Sequence, residues 1–332
     1  GDAVRAIASL PALTGSWRLP GGGIFQHPQG TFPINRNALT NPQFVEDSRN
    51  SVNLFNLASA LSPDAAVPIK SLFVYNANPV IAAANQLKLL ENLCRKDLFT
   101  VVSEIFQTDT CDYADILLPA TSQMEQKDLM YSWGHYNIQF NQKAIEPLGE
   151  AVSNTELFRR LAEVFLFGDD VFTRDDDEIM SKAMLWDHKN LDGITLQSLT
   201  EQGFARLNVG DPKNRTPHRN GEFPTASGKF EFASSQCEAG GNMLVVYRQG
   251  VDDKKKYPAV DALPSYKPNA IPDGGFVLIS PKHHYFLNSG YANFNLDNEV
   301  ANKQTVMINT ADAEVRGIGQ GEKLILWNDL AE

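Results

Sequence analysis

Three short apolar runs between Ser71 and Pro119, separated first by a helix-length stretch and then by an acid-bearing turn, constrain the fold of this chain more than any other feature. Ser71-Leu-Phe-Val-Tyr-Asn76 leads through Ala77-Asn78-Pro79 into a helical pattern from Val80 to Leu93. Leu98 to Ile105 follows, with Phe99, Val101, Val102 and Ile105 of the β-branched and aromatic types that fill buried strands. A polar stretch from Thr108 then reaches Ile116 to Leu118, a third run ended by Pro119, which has no amide donor to continue a ladder. Strand, tight turn, helix, strand, acidic turn, strand is the alternation of a parallel sheet with covering helices, so the fold class is α/β. Ligands in such sheets sit beyond the carboxyl ends of the strands, and Asn78 and the Ser103 to Asp115 loop are expected to share that edge.

A chain of 332 residues, 42% of them hydrophobic, can bury a sizeable core and has room for two domains. Its net charge of -11 argues against a nucleic-acid partner, which would call for a basic face to neutralise phosphates. Cys94, Cys111 and Cys237 lie far apart with no Cys-x-x-Cys pair, so neither a disulfide framework nor a zinc or iron-sulfur site is expected within the chain. No run approaches the roughly 20 apolar residues that span a bilayer. Gly1-Asp-Ala-Val carries no initiator Met or signal-like stretch, which leaves secretion open, with the cytoplasm the favoured setting.

Along the chain, Val4, Ile7, Leu10 and Leu13 mark a helix that ends at Thr14-Gly15. Pro20-Gly-Gly-Gly23 opens a Gly-, Pro- and Asn-rich segment that reads either as a connector or as backbone made for close approach to a ligand. Ser48 to Leu61 reads as a helix, and Tyr136, Ile138 and Phe140 alternate as a strand with one buried face. His135, beside Gly134 and Tyr136, reads as a satisfied structural side chain. Asn154 can cap a helix whose stripe is Leu157, Phe158, Leu161, Val164 and Phe165. The acidic run Asp175 to Glu178 suits a helix start and lacks the spacing of a calcium loop. Gly228-Lys-Phe-Glu-Phe232 alternates as a short strand, and the proline-rich stretch from Gly250 to Gly275 behaves as a linker. Phe276 to Ser280, Thr305 to Asn309 and Lys323 to Trp327 read as strands of a small β-barrel, with a helix from Ala311 to Arg316.

Asn78-Pro79 after a strand, Glu104 through Thr110, and Tyr-Ala-Asp-Ile-Leu-Leu-Pro with Glu125 following together resemble the third domain of the large molybdopterin oxidoreductases, the dimethyl-sulfoxide-reductase family. The resemblance continues through Leu-Thr-Gly with Pro-Gly-Gly-Gly, and through Phe223-Pro-Thr-Ala-Ser-Gly-Lys-Phe-Glu-Phe232. It implies an internal to C-terminal segment of such an enzyme. Residues 1–240 would be the α/β domain, partial at its N-terminus, 241–275 a linker, and 276–332 the start of a double-psi β-barrel that binds the molybdopterin dinucleotide. The implied cofactor is bis-molybdopterin guanine dinucleotide with molybdenum, and a 4Fe-4S cluster is expected in a part that precedes this chain. A small-molecule substrate and an electron-transfer subunit are the implied partners.

The cofactor-binding residues that the resemblance implies are Asn78, Ser103, Glu104, Thr108 and Asp115 at the strand ends. Asn154 joins them where the family often has an Asp, and Asn keeps an acceptor without the charge. Ser280, Lys282, His283, His284, Asn288 and Ser289 follow in the loop after the barrel's first strand, with Lys282 where an Arg is frequent. Asn78 and Asp115 also fit plain turn capping. Adjacent histidines without a third ligand do not make a metal site, so no catalytic or metal-ligating residue is assigned. The implied function is oxygen-atom or hydride-equivalent transfer coupled to electron transfer by the complete enzyme, with this segment inactive alone. The alternative is a non-catalytic electron-transfer or structural subunit of the same fold without molybdenum. A nicotinamide dehydrogenase would show Gly-x-Gly-x-x-Gly after its first strand, where this chain has Asn-Ala-Asn-Pro. The decisive expectation is one cleft shared by Asn78, Asp115 and Ser280.

Overall fold

A computed structural model describes residues 2–25, 28–44, 52–211, 215–239, 259–268, 274–281, 283–284, 286–293 and 305–328. The chain forms two compact units that interleave in sequence. One is built from residues 1–47, 123–146 and 155–276, the other from 48–122, 147–154 and 277–332. Residues 1–240, read from the sequence as one domain, are thus divided between both units.

The second unit contains the three expected strands, β1 (Ser71–Tyr75), β2 (Phe99–Glu104) and β3 (Ile116–Pro119). They form a parallel sheet in that order, with Val74 opposite Val102 and Val102 opposite Leu117. From Thr100 to Ser103 β2 is buried on both faces, as a central strand between two neighbours must be. Ala58, Leu61, Val80, Leu89, Leu93 and Leu98 close into one cluster, and Val74, Val102 and Cys111 into another. Among the described residues β3 pairs with one strand, β2, and Ile116 and Leu117 stay exposed.

Two expected helices in this unit are shorter than their patterns. Val80 to Leu93 divides into Pro79–Ala82 and Gln86–Leu93, because Ala83 is extended and Asn85 turns left-handed at φ 59°. Ser48 to Leu61 becomes a short turn, Leu54–Asn56, capped by Asn53, followed by the helix Leu57–Ala60, and residues 45–51 lie outside the described ones.

The expected start of a barrel is not formed among the described residues. Phe276 to Ser280, Thr305 to Asn309 and Lys323 to Trp327 form no strands, and Leu278, Met307 and Ile325 lie open to solvent. A strand is stable only against neighbours in a sheet, and these runs meet none among the described residues that pairs with them. The helix Thr310–Val315 does form, capped by the Asn309 side chain, which accepts from the Ala311 amide at 2.9 Å.

In the first unit, β4 (Asp128–Tyr131), β5 (Asn137–Asn141) and β6 (Phe204–Arg206) make an antiparallel sheet with β5 in the middle. Ile138 and Phe140 point into a core with Phe32, Met180, Leu191, Leu199 and Leu207, as the alternation required. The acidic run becomes the start of Asp176–Lys182, with Asp175 and Glu178 exchanging bonds in a capping box. His135 Nδ1 accepts from the Asn137 amide at 3.2 Å, a structural role. The Gly228 to Phe232 strand is absent. Its backbone instead turns, with the Phe223 amide donating to Gly228 O and Thr225 Oγ1 to Lys229 O.

Two of the three consecutive glycines are required by packing inside this unit. A Cβ on Gly22 would fall 1.9 Å from Ser16 O, and one on Gly23 2.5 Å from the Trp17 ring. Residues 241–258 and 269–273 of the expected linker lie outside the described ones. The portion between them is tethered to the helix Asp2–Leu13, where Arg5 donates to the carbonyls of Asp261 and Ala262.

Glu156, in the helix Asn154–Val164, accepts from Arg160 Nε at 2.7 Å and from Arg159 Nε at 3.0 Å. The Arg160 bond holds its carboxyl below the usual glutamate range, opposed by burial and helped by the Arg159 bond. A carboxyl depressed in the fold contributes stability above its unfolded value and loses it as pH falls through the folded one. Glu156→Gln should therefore cost less than about 1 kcal/mol at pH 7, since the pair is partly solvated. In urea titrations at several pH values the difference from wild type should vanish in acid. A constant difference across the range would contradict this.

Candidate functional site

The site begins where β1 ends. Asn76 turns left-handed at φ 52°, a conformation that Asn tolerates better than other non-glycine residues, and its Oδ1 accepts from Asn154 Nδ2 at 3.0 Å. Two residues on, Asn78 is buried ahead of Pro79. Asn78 makes no side-chain cap bond to this helix, because the Val80 amide that it could take donates to Thr110 Oγ1 instead, which frees the Asn78 side chain for other partners.

Those partners come from the loop after β2. Thr110 Oγ1, itself accepting from the Val80 amide at 3.2 Å, donates to Asn78 Oδ1 at 2.6 Å. Asn78 Nδ2 donates to Asp109 Oδ2 at 3.2 Å. Thr110 is fully buried, while Asp109 is exposed. The relay from Val80 through Thr110 and Asn78 therefore fixes a carboxylate whose remaining lone pairs face outward. Thr108 opens the turn Asp109–Tyr113 in extended conformation, and Asp112 lies one turn after Asp109.

A cavity of about 200 Å³ opens at this point, lined by Asn78, Thr108 and Ser289 together with Gln107, Asp109 and Asp112, and closed by Ala292 and Asn293. Ser289 arrives on a tight turn in which Leu287 and Gly290 exchange backbone bonds and Asn288 is left-handed at φ 54°. All of these residues belong to the second unit. Among the described residues the lining carries two carboxylates, three amide side chains and two hydroxyls and no lysine or arginine, which suits a ligand rich in N–H donors.

Of the expected residues, Asn78, Thr108 and Ser289 line this cavity, and Asn154 holds the turn beside it. Ser103 is buried at the carboxyl half of β2, and Glu104 at its end accepts from the Ile105 amide at 2.8 Å. Asn288 shapes the turn that carries Ser289. Ser280, His283 and His284 are exposed and outside the lining, with His283 against the Phe286 ring at 5.1 Å. Lys282 lies outside the described residues.

The expectation that Asn78, Asp115 and Ser280 line one cleft is not met. Asp115 precedes β3 and takes the Thr100 amide on its Oδ2 at 2.7 Å, while its own amide donates to Thr100 O. Thr100 is the second residue of β2 and Glu104 its last, so at about 3.3 Å per residue Asp115 sits toward the opposite edge of the sheet, roughly 13 Å away. Chain order placed it with the loop; the strand register does not. Gln107, Asp109, Asp112 and Asn293 were missed, and the three-residue spacing of the two aspartates on one turn was the signal available.

Among the described residues no group of three His, Cys, Asp or Glu side chains gathers as a metal site, and no helix is long and apolar enough to cross a membrane. Residues 1–164 match the family model described as molybdopterin oxidoreductase. The chain is 37% identical over 336 residues to "Probable oxidoreductase YoaE" of Bacillus subtilis, covering all of this chain and 46% of that protein. It is 25% identical to dimethyl sulfoxide reductase DmsA of Escherichia coli, covering 99% of this chain and 44% of the relative. The chain thus spans less than half the length of either curated relative. Among solved structures, acetylene hydratase from Pelobacter acetylenicus superposes with a TM-score of 0.56 at 21% identity, covering 80% of this chain and 34% of the other, a likeness of fold.

Proposed function

Because the chain belongs to the molybdopterin oxidoreductase family, we propose that the cavity beyond β1 and β2 holds the guanine end of a molybdopterin guanine dinucleotide. The observation that carries this reading is the carboxylate pair Asp109 and Asp112 beside Asn78, Thr108 and Ser289 in one polar cavity at the carboxyl edge of a parallel sheet. Guanine offers adjacent N–H donors on one edge, and a carboxylate accepts two of them at once. Phosphate would meet only negative charge at Asp109 and Asp112, so this lining fits the base and not the pyrophosphate. At about 200 Å³ the space is below the several hundred Å³ of a site that swallows a drug-sized ligand, and it suits one ring system at the end of a long cofactor.

Each residue then has a task. Asp109 accepts from the base, Asn78 and Thr110 hold Asp109 in place, and Asn154 fixes the turn that carries Asn78. Ser289 and Asn293 supply polar groups to the adjoining sugar. The remaining proposed binders, Ser103, Glu104, Ser280, Lys282, His283, His284 and Asn288, act in binding the cofactor's other parts or in shaping the loops around it. When bound, the molybdenum carried by such a pterin supplies oxygen-atom or hydride-equivalent transfer, and this chain supplies binding and orientation. The substrate and the electron-transfer partner are those of the complete enzyme.

Denaturing the full-length protein and measuring released guanine nucleotide against molybdenum tests the reading. The expected result is both together, about two nucleotides per metal for the bis form. A metal-free and nucleotide-free preparation would overturn it in favour of a non-catalytic subunit with the same fold.

A further inference from the structure

We propose that the C-terminal end of the helix Asn154–Val164 is a docking surface for a protein segment that presents apolar side chains ringed by lysine or arginine. The helix ends on Leu166, whose backbone is left-handed at φ 58°. The Phe167 amide donates to Ala162 O and the Leu166 amide to Glu163 O, the bonding pattern of a helix stop that glycine ordinarily occupies. A leucine there is strained, and a strained residue persists where something else is gained from it. No burial among the described residues offsets that strain, since Leu166 is 88% exposed.

The surroundings of Leu166 have the character of an interface. Val164, Phe165 and Phe167 are exposed beside it. Phe165 stacks on Phe167 at 5.8 Å, Phe167 lies 5.3 Å from Phe172, and Phe172 lies 6.1 Å from Phe44, so the apolar patch is continuous. Contiguous exposed apolar patches of this kind mark interaction sites more often than isolated apolar residues do.

Charge around the patch selects the occupant. No lysine or arginine occurs from position 161 to 173, whereas Glu163, Asp169 and Asp170 do. Asp170 is paired with Arg174 at 2.7 Å and feels the charge of Lys182, and Arg160 is paired with Glu156, while the exposed carboxylates of Glu163 and Asp169 are taken up by neither pair. A second copy of the chain would bring like charges together, and an anionic lipid surface would be repelled for the same reason. A partner with a basic rim gains on both counts.

The test uses a labelled amphipathic helical peptide with a leucine face and a lysine rim, and its glutamate-rimmed counterpart, titrated against the full chain. The lysine peptide should bind at least about tenfold more tightly than the glutamate peptide. Leu166→Gly should lower that affinity about tenfold while raising Tm by roughly 2 °C, because glycine relieves the backbone strain. Asp169→Lys should shift preference toward the glutamate peptide. Equal affinity for both peptides, no binding of either, or unchanged binding by Leu166→Gly would overturn the proposal. So would self-association or binding to anionic vesicles that is lost in Leu166→Gly.

Discussion

Thr110→Val is expected to lower the stability of the sheet-bearing unit by roughly 3 kcal/mol, measured by urea denaturation. The hydroxyl is fully buried and is used in both directions, accepting from the Val80 amide and donating to Asn78 Oδ1. Valine matches the shape but leaves a buried donor and a buried acceptor without partners, each a desolvation penalty of about 1–3 kcal/mol. Thr110→Ser keeps the hydroxyl and should cost only about 1 kcal/mol for the lost methyl. Thr100 supplies the internal contrast. It is equally buried on the neighbouring strand, but its Oγ1 has no hydrogen-bond partner, so Thr100→Val should be neutral or stabilising. The same substitution ten positions apart should thus have opposite consequences, and similar losses at both sites would mean that the relay behind Asn78 is not an energetic feature of the fold.

Asp109→Asn is expected to reduce guanine nucleotide retained by the full-length protein about tenfold or more, with little change in unfolding midpoint. The substitution preserves size and still offers Asn78 Nδ2 an oxygen. It replaces an outward lone-pair set with an amide that can accept from only one of two adjacent donors. Asp109 is exposed, so its loss removes no core packing. Asn78→Ala should weaken retention as well but should also destabilise, because Asn78 is buried and its removal leaves Thr110 Oγ1 without an acceptor. This split between binding and stability separates the carboxylate that meets the ligand from the amide that holds it.

The parallel sheet was legible because its strands are short, β-branched and separated by turn chemistry, and Ser71–Tyr75, Phe99–Glu104 and Ile116–Pro119 fall where those signals put them. What sequence spacing could not supply was register. Asp115 reads as a loop carboxylate at the ligand edge, yet parallel pairing with β2 carries it to the other edge, where it caps the Thr100 amide. The helix from Val80 was overextended for a similar reason, since a left-handed Asn85 breaks a pattern whose apolar spacing continues undisturbed. The barrel strands do not form among the described residues, since an apolar run specifies a strand only when partners are there to pair with it. Asp109 and Asp112 sat inside the most informative stretch of the chain, and only the Asn78 contact and the cavity distinguish them from ordinary turn residues.

Photolabelling the chain with 8-azidoguanosine monophosphate and mapping the modified peptides tests the central claim most directly. Label should appear on the segments holding Gln107 to Asp112 and Ser289 to Asn293, should be displaced by unlabelled GMP but not by AMP, and should fall with Asp109→Asn. Label confined to other segments, or equal competition by AMP, would contradict the assignment of this cavity to a guanine.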